Sequence, residues 1–150
     1  MPEIMRMGKS TPPCEVERRL AEDLDSITEA RQVISRALEA CGYRGEHDMV
    51  VLAVSELVTN ALIHGAGAPV LRLSCQERGV RLEVADSRPE LPRPREPDAD
   101  GGWGLHVIDQ LATCWGISPQ RGGKVVWCEF AAPPAPAPPA PVAVTGESAT

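Results

Sequence analysis

The chain predicts an α+β fold, a two-layer sandwich in which a mostly antiparallel, mixed sheet is covered on one face by about three helices. Three features of the sequence lead there. Apolar residues recur with a helical period in two successive segments and again after residue 101. Period-two runs come in neighbouring pairs joined by short glycine-containing turns. No strict strand–helix–strand alternation separates those runs, which argues against a doubly wound parallel sheet.

A length of 150 residues fits one domain with a substantial core, and 43% hydrophobic with 24% charged residues is ordinary for a globular chain. With one Phe and one Tyr, core volume must come from Leu, Val, Ile and the three Trp. The net charge of −6 argues against a direct nucleic-acid partner, which would call for a basic patch. An acidic protein can still hold a nucleotide through backbone N–H groups and a metal ion. Five cysteines without a C-x-x-C pair suggest scattered thiols in a reducing cytoplasm rather than a disulfide framework or a zinc site. There is no leader-like apolar segment and no run near the ~18 apolar residues of a membrane span. The expectation is a soluble, cytoplasmic protein with no membrane partner.

Residues 1–13 are polar, contain Pro12-Pro13 and read as a flexible N-terminal arm. A strand is expected around Glu15–Leu20. Ile27, Ala30, Ile34, Ala37, Leu38 and Cys41 follow a helical period, with Ser26 and Glu29 in a capping-box pattern and Gly42 as a stop. A second helix is expected from about Glu46 to His64, ending at Gly65-Ala66-Gly67. Strands follow at Val70–Cys75 and Val80–Ala85, with Arg78-Gly79 as the hairpin turn. Residues 87–100 hold four prolines and mixed charge, so they read as a loop long enough to serve as a lid. Gly101-Gly102-Trp103-Gly104 opens a third helix through Leu105, Val107, Ile108 and Leu111. Two more strands, near Cys114–Ser118 and at Lys124–Phe130, flank a turn at Gly122-Gly123. The domain is thus residues 14–130, followed by a disordered Ala/Pro-rich tail over 131–150.

The chemistry concentrates in the second helix. Glu56, Asn60 and His64 stand four residues apart, and a step of four keeps side chains on nearly one side of a helix. Val50, Ala53, Val54, Leu57, Val58 and Ala61 form the apolar stripe beside them. A solvated polar edge would account for that spacing. A turn-starting aspartate would account for Asp86, and glycines that merely permit a turn would account for Gly102 and Gly104. Glycines at a helix entrance also expose N–H donors to an anion. His64 reads equally as support for Asn60 or as a helix-end imidazole. His47 and His106 carry no motif.

Taken in order, Glu56-Leu57-Val58-Thr59-Asn60-Ala61-Leu62-Ile63-His64, Val84-Ala85-Asp86-Ser87, Gly102-Trp103-Gly104-Leu105 and Gly122-Gly123-Lys124-Val125-Val126-Trp127 resemble the boxes of the GHKL (histidine kinase-like) ATPase superfamily. Within it they resemble the small bacterial anti-sigma-factor serine/threonine kinases. The resemblance spans about residues 15–130 and implies the Bergerat-type ATP-binding fold. It implies ATP and Mg²⁺ as cofactors, with Asn60 as a metal ligand and Glu56 as the catalytic base or orienting carboxylate. Asp86 would accept a hydrogen bond from the adenine amino group, selecting adenine over guanine. Gly102, Gly104 and the Leu105 N–H would bind phosphates at a helix N-terminus. As partners it implies a sigma factor and a STAS-domain anti-anti-sigma protein, and it makes a homodimer the expected assembly.

Departures from the pattern are specific. Asp86-Ser87-Arg88-Pro89 lacks the glycines of the family's D-x-G-x-G, and Lys124 and Val125 stand where a threonine is common. Trp103 is bulky for its place. The missing glycines motivate an alternative, a non-catalytic module that sequesters a transcription regulator with or without nucleotide. A detached histidine-kinase domain is disfavoured, because His47-Asp48 lacks the proline of the usual acceptor box.

Overall fold

Alternation of apolar and polar residues becomes the two faces of a five-stranded sheet of order β1-β2-β3-β5-β4. The computed structural model describes residues 14–88 and 103–133. The expected arm, the expected loop beyond Arg88, Gly101 and Gly102, and most of the expected tail lie outside them. The elements are β1 (Cys14–Arg19), α1 (Asp25–Cys41), α2 (His47–His64), β2 (Val70–Gln76), β3 (Gly79–Asp86), α3 (Trp103–Leu111), β4 (Cys114–Gln120) and β5 (Gly123–Ala131). Every pairing is antiparallel, so the sheet is not mixed.

Inward positions are Leu71, Leu73 and Cys75 on β2, Val80, Leu82, Val84 and Asp86 on β3, and Lys124, Val126, Cys128 and Phe130 on β5. The β3–β5 register sets Val80 opposite Phe130, Leu82 opposite Cys128, Val84 opposite Val126 and Asp86 opposite Lys124. Three apolar rungs therefore end in one charged rung. Over this face α1 packs on α2 and β2, and α2 packs on β3 and α3. The apolar stripe read from the sequence is the buried face of α2: Val50, Ala53, Val54, Leu57, Val58 and Ala61 are all buried.

Several local expectations shift. Helix α1 begins at Asp25, and Ser26 is not its cap. The buried Ser26 hydroxyl donates to the Ala21 carbonyl at 2.8 Å, while Asp23 Oδ1 accepts the Asp25 N–H at 2.8 Å. The chain turns back over its own end there, and an acidic side chain two residues upstream serves the free N–H. Gly42 does stop the helix, in a left-handed conformation at φ 70°. Both hairpin turns sit one residue earlier than expected, because Gly79 and Gly123 already belong to strands. The expectation of unpaired thiols fails for Cys41 and Cys75, which form a disulfide across the α1–β2 packing with Cα atoms 6.6 Å apart. Helix and strand packing, not sequence spacing, brings them together. Cys128 remains a free, buried thiol whose pKa burial pushes up to about 12, which keeps it protonated at neutral pH.

The opposite face of the sheet is solvent-facing and charged. Arg72 bridges Glu17 and Glu83, Arg81 bridges Glu83 and Glu129, and the Arg81 guanidinium lies 4.2 Å from the Trp127 ring centre. Such exposed pairs add little individually. No helix among the described residues is long and apolar enough to cross a membrane.

Leu57 is 1% exposed at the centre of the α2 contact. Leu57→Ala should cost about 2–5 kcal/mol in urea unfolding. A loss below about 0.5 kcal/mol, the range of neutral surface changes, would contradict this packing.

Candidate functional site

Helix α2 carries its polar edge along the border of the buried stripe. Glu56 and Asn60 are both half-buried, and among the described residues no hydrogen bond engages either side chain. Burial raises the Glu56 carboxyl above its ordinary value, because desolvation disfavours the charged form. Glu56 and Asn60 both still reach water, so only part of their hydration is lost, and a ligand could take the place of that water. His64, in contrast, is exposed at the helix end, and its carbonyl accepts a hydrogen bond from Arg88 Nη1 at 3.3 Å.

The end of α2 seats directly on Asp86. Gly65 has φ −97°, which any residue adopts, so the requirement there is space rather than backbone freedom. A Cβ on Gly65 would lie 2.6 Å from Asp86 Cγ, 2.7 Å from Asp86 Oδ2 and 2.5 Å from the Ala61 carbonyl oxygen. The next turn is held by the Ser87 N–H, which donates to the Ala66 carbonyl at 2.7 Å. On the strand side, a Cβ on Gly123 would collide with the Asp86 carbonyl. A glycine just past α2 and another at the start of β5 thus let two elements close on Asp86, the first against its carboxylate and the second against its backbone.

Period-two alternation drives the Asp86 side chain inward, and the same alternation on β5 brings Lys124 to it. The Lys124 ammonium and Asp86 Oδ1 are 2.9 Å apart, with side chains only 5% and 2% exposed. Lys124 Nζ also donates to the Arg88 carbonyl at 3.1 Å, and the Arg88 N–H donates to Asp86 Oδ1 at 2.8 Å. Oδ1 is therefore engaged twice. Among the described residues no hydrogen bond reaches Oδ2. No fully buried side-chain nitrogen or oxygen there lacks a partner, so Oδ2 must keep contact with accessible space.

Of the residues singled out from the sequence, Glu56 and Asn60 share α2, and Asp86 lies against the end of that helix. Gly104 stands in the first turn of α3, and Leu105 packs half-buried against the core. Gly102 lies outside the described residues. The sequence reading missed Lys124 as a partner of Asp86 and Gly65 as the residue that admits the carboxylate. Matching the inward phases of β3 and β5 would have revealed the first. Nothing in the local sequence points to the second.

A family model described as a histidine kinase-like ATPase domain matches residues 20–130. Among solved structures, the RsbU and RsbW domains of Rv1364c from Mycobacterium tuberculosis match with a TM-score of 0.61 at 24% identity, over 83% of this chain and 34% of that one. The histidine kinase domain of the blue-light activated histidine kinase from Erythrobacter litoralis EL346 matches with a TM-score of 0.45 at 18% identity, over 71% of this chain and 59% of that one. The likeness to the Mycobacterium tuberculosis structure is one of fold, and the chain spans about a third of its length. No curated protein matches it.

Two outcomes follow from this geometry. Gly65→Ala should destabilise the chain by about 1–3 kcal/mol in urea unfolding, since neither Asp86 nor the Ala61 carbonyl has room to retreat. A neutral effect would mean that α2 does not seat on Asp86. Glu56→Gln should leave stability unchanged in acid, where the carboxyl is protonated in both states. Because the folded form holds its proton above the ordinary value of 4.5, the unaltered chain loses stability as pH rises past that value, until the folded carboxyl too has ionised. The variant should therefore become the more stable of the two above that window in thermal melts at stepped pH, and a variant less stable at pH 7 would refute the desolvation account.

Proposed function

Because the chain belongs to the histidine kinase-like ATPase domain family, we propose that it is an ATP-binding regulatory protein serine/threonine kinase. In this reading it acts as an anti-sigma factor that phosphorylates a STAS-type anti-anti-sigma partner. The observation that carries the proposal is the half-buried Glu56/Asn60 pair on α2, whose side chains make no hydrogen bond among the described residues, with the Glu56 carboxyl made more basic by burial. The RsbW domain named in the Mycobacterium tuberculosis structure lends support at the level of fold.

The residues present fit Mg-ATP. Asn60 would hold the Mg²⁺ through its side-chain oxygen, a hard ligand. Among the described residues no group of three or more His, Cys, Asp or Glu side chains gathers to form a metal set. That suits an ion completed by phosphate and water oxygens. Bound Mg²⁺ would neutralise phosphate charge. Glu56, one turn before Asn60, would accept the proton of the attacking serine or threonine hydroxyl, and its raised basicity suits that task. Asp86 Oδ2 would accept a hydrogen bond from the base. The N–H groups at Gly102, Gly104 and Leu105 would hold phosphate oxygens, with the α3 dipole adding to the attraction. A sigma factor, a STAS-domain protein and a second copy of the chain are the partners in this reading, and the cytoplasm is its compartment.

A second reading has its own observation. The Asp86-Ser87-Arg88-Pro89 segment lacks glycine, and Lys124 already engages Asp86 Oδ1. Both favour a module that sequesters a transcription regulator without catalysis. Calorimetry separates the two: absence of any heat of binding at millimolar Mg-ATP supports sequestration.

Transfer of labelled γ-phosphate to a STAS-domain acceptor tests the kinase. Glu56→Ala should slow transfer by about 10²–10⁴-fold while Mg-ATP still binds. Asn60→Ala should raise the Mg²⁺ concentration needed for half-maximal transfer. Transfer indifferent to Glu56→Ala would remove that residue from the chemistry.

A further inference from the structure

A carboxylate that recognises a purine by its C6 substituent sorts bases through sign. An amino group donates to it. A 6-oxo group is an acceptor and is repelled, leaving two desolvated acceptors face to face. That sorting assumes that the carboxylate stands alone. Asp86 does not: the ammonium of Lys124 sits 2.9 Å from Oδ1, and both side chains are almost wholly buried.

The unused valences of this pair are the telling feature. An ammonium has three donors. Lys124 spends one on Asp86 Oδ1 and one on the Arg88 carbonyl at 3.1 Å, so one remains among the described residues. Asp86 has Oδ1 doubly engaged and Oδ2 open. At the buried end of the β3–β5 ladder, one carboxylate oxygen and one ammonium N–H thus carry no hydrogen bond among the described residues, on a pair whose charges offset.

We infer that Lys124 is a specificity-determining residue of the base site, and that it makes the site accept 6-oxopurine nucleotides as well as adenine nucleotides. The amino group of adenine is met by Asp86 Oδ2, and the carbonyl of hypoxanthine or guanine by Lys124 Nζ. Offset of the Asp86 charge by Lys124 removes the repulsion on which rejection of a 6-oxo group depends. This deepens the nucleotide reading above and rests on it. It also revises the expectation that Asp86 alone selects adenine.

Inosine triphosphate is the sharpest probe, because it carries the 6-oxo group without the 2-amino group of guanine. Titration calorimetry of the full chain with Mg-ATP, Mg-ITP and Mg-GTP reads the effect as a ratio of dissociation constants. The unaltered chain should bind Mg-ITP within about tenfold of Mg-ATP, whereas a lone carboxylate would reject it by about a hundredfold or more. Lys124→Met should widen the ITP-to-ATP ratio by at least about tenfold, with circular dichroism confirming the fold. A hundredfold preference for ATP in the unaltered chain overturns the inference by itself, even if the variant fails to fold. A ratio unmoved in a folded variant overturns it too, and leaves the nucleotide reading standing. Failure of the unaltered chain to bind either ATP or ITP at millimolar concentration overturns both, and the failed ATP arm identifies that case.

Discussion

The antiparallel register of β3 on β5 is the constraint from which the site follows. Three apolar rungs, Val80–Phe130, Leu82–Cys128 and Val84–Val126, fix which face of each strand is buried. A slip of one residue would turn all of them to solvent, so the core itself enforces the pairing. Once it is enforced, Asp86 and Lys124 have no choice but to meet on the same face. The core of this domain thus places a carboxylate and an ammonium where packing alone would favour two more aliphatic side chains. A buried ion pair is weak evidence for stability, because desolvation offsets much of the attraction.

Helix α2 shows the same opposition on a smaller scale. One face supplies six buried apolar side chains to the core, and the adjoining edge partly withdraws Glu56 and Asn60 from water, with no hydrogen bond to either among the described residues. The first arrangement makes the helix rigid. The second uses that rigidity, because a carboxyl whose basicity is raised by burial must not relax outward to regain its hydration. The C-terminal end of α2 then reaches Asp86 only because residue 65 has no side chain. The helix therefore links Glu56 and Asn60 to Asp86 through a point of close packing at Gly65.

Much of this was legible in one dimension. The helical period over residues 47–64 predicted the buried stripe residue by residue, because a 3.6-residue repeat has one solution when the polar edge is as sharp as this. The strands were legible for the same reason. Local hydrogen-bond choices were not. Ser26 looked like a cap, yet no side chain caps the helix: Ser26 turns back to the Ala21 carbonyl and Asp23 accepts the Asp25 N–H, because the path of the chain decides which group each side chain meets. The cysteines were illegible as well: Cys41 and Cys75, separated by 34 residues, share no motif and meet only through the docking of α1 on β2.

The sequence by itself determined the α+β class, the element order, the buried faces and the spacing of Glu56 and Asn60, because these depend on periodicity and on neighbours within a turn or two. It also showed Asp86 and Lys124 as separate departures in two distant segments. Only the tertiary structure decided that they are one feature. Strand register converts a separation of 38 residues into a contact of 2.9 Å, and among the described residues that buried pair keeps one donor and one acceptor outside any hydrogen bond. Register and burial arise from the whole sheet closing at once, so no local stretch of the chain contains them.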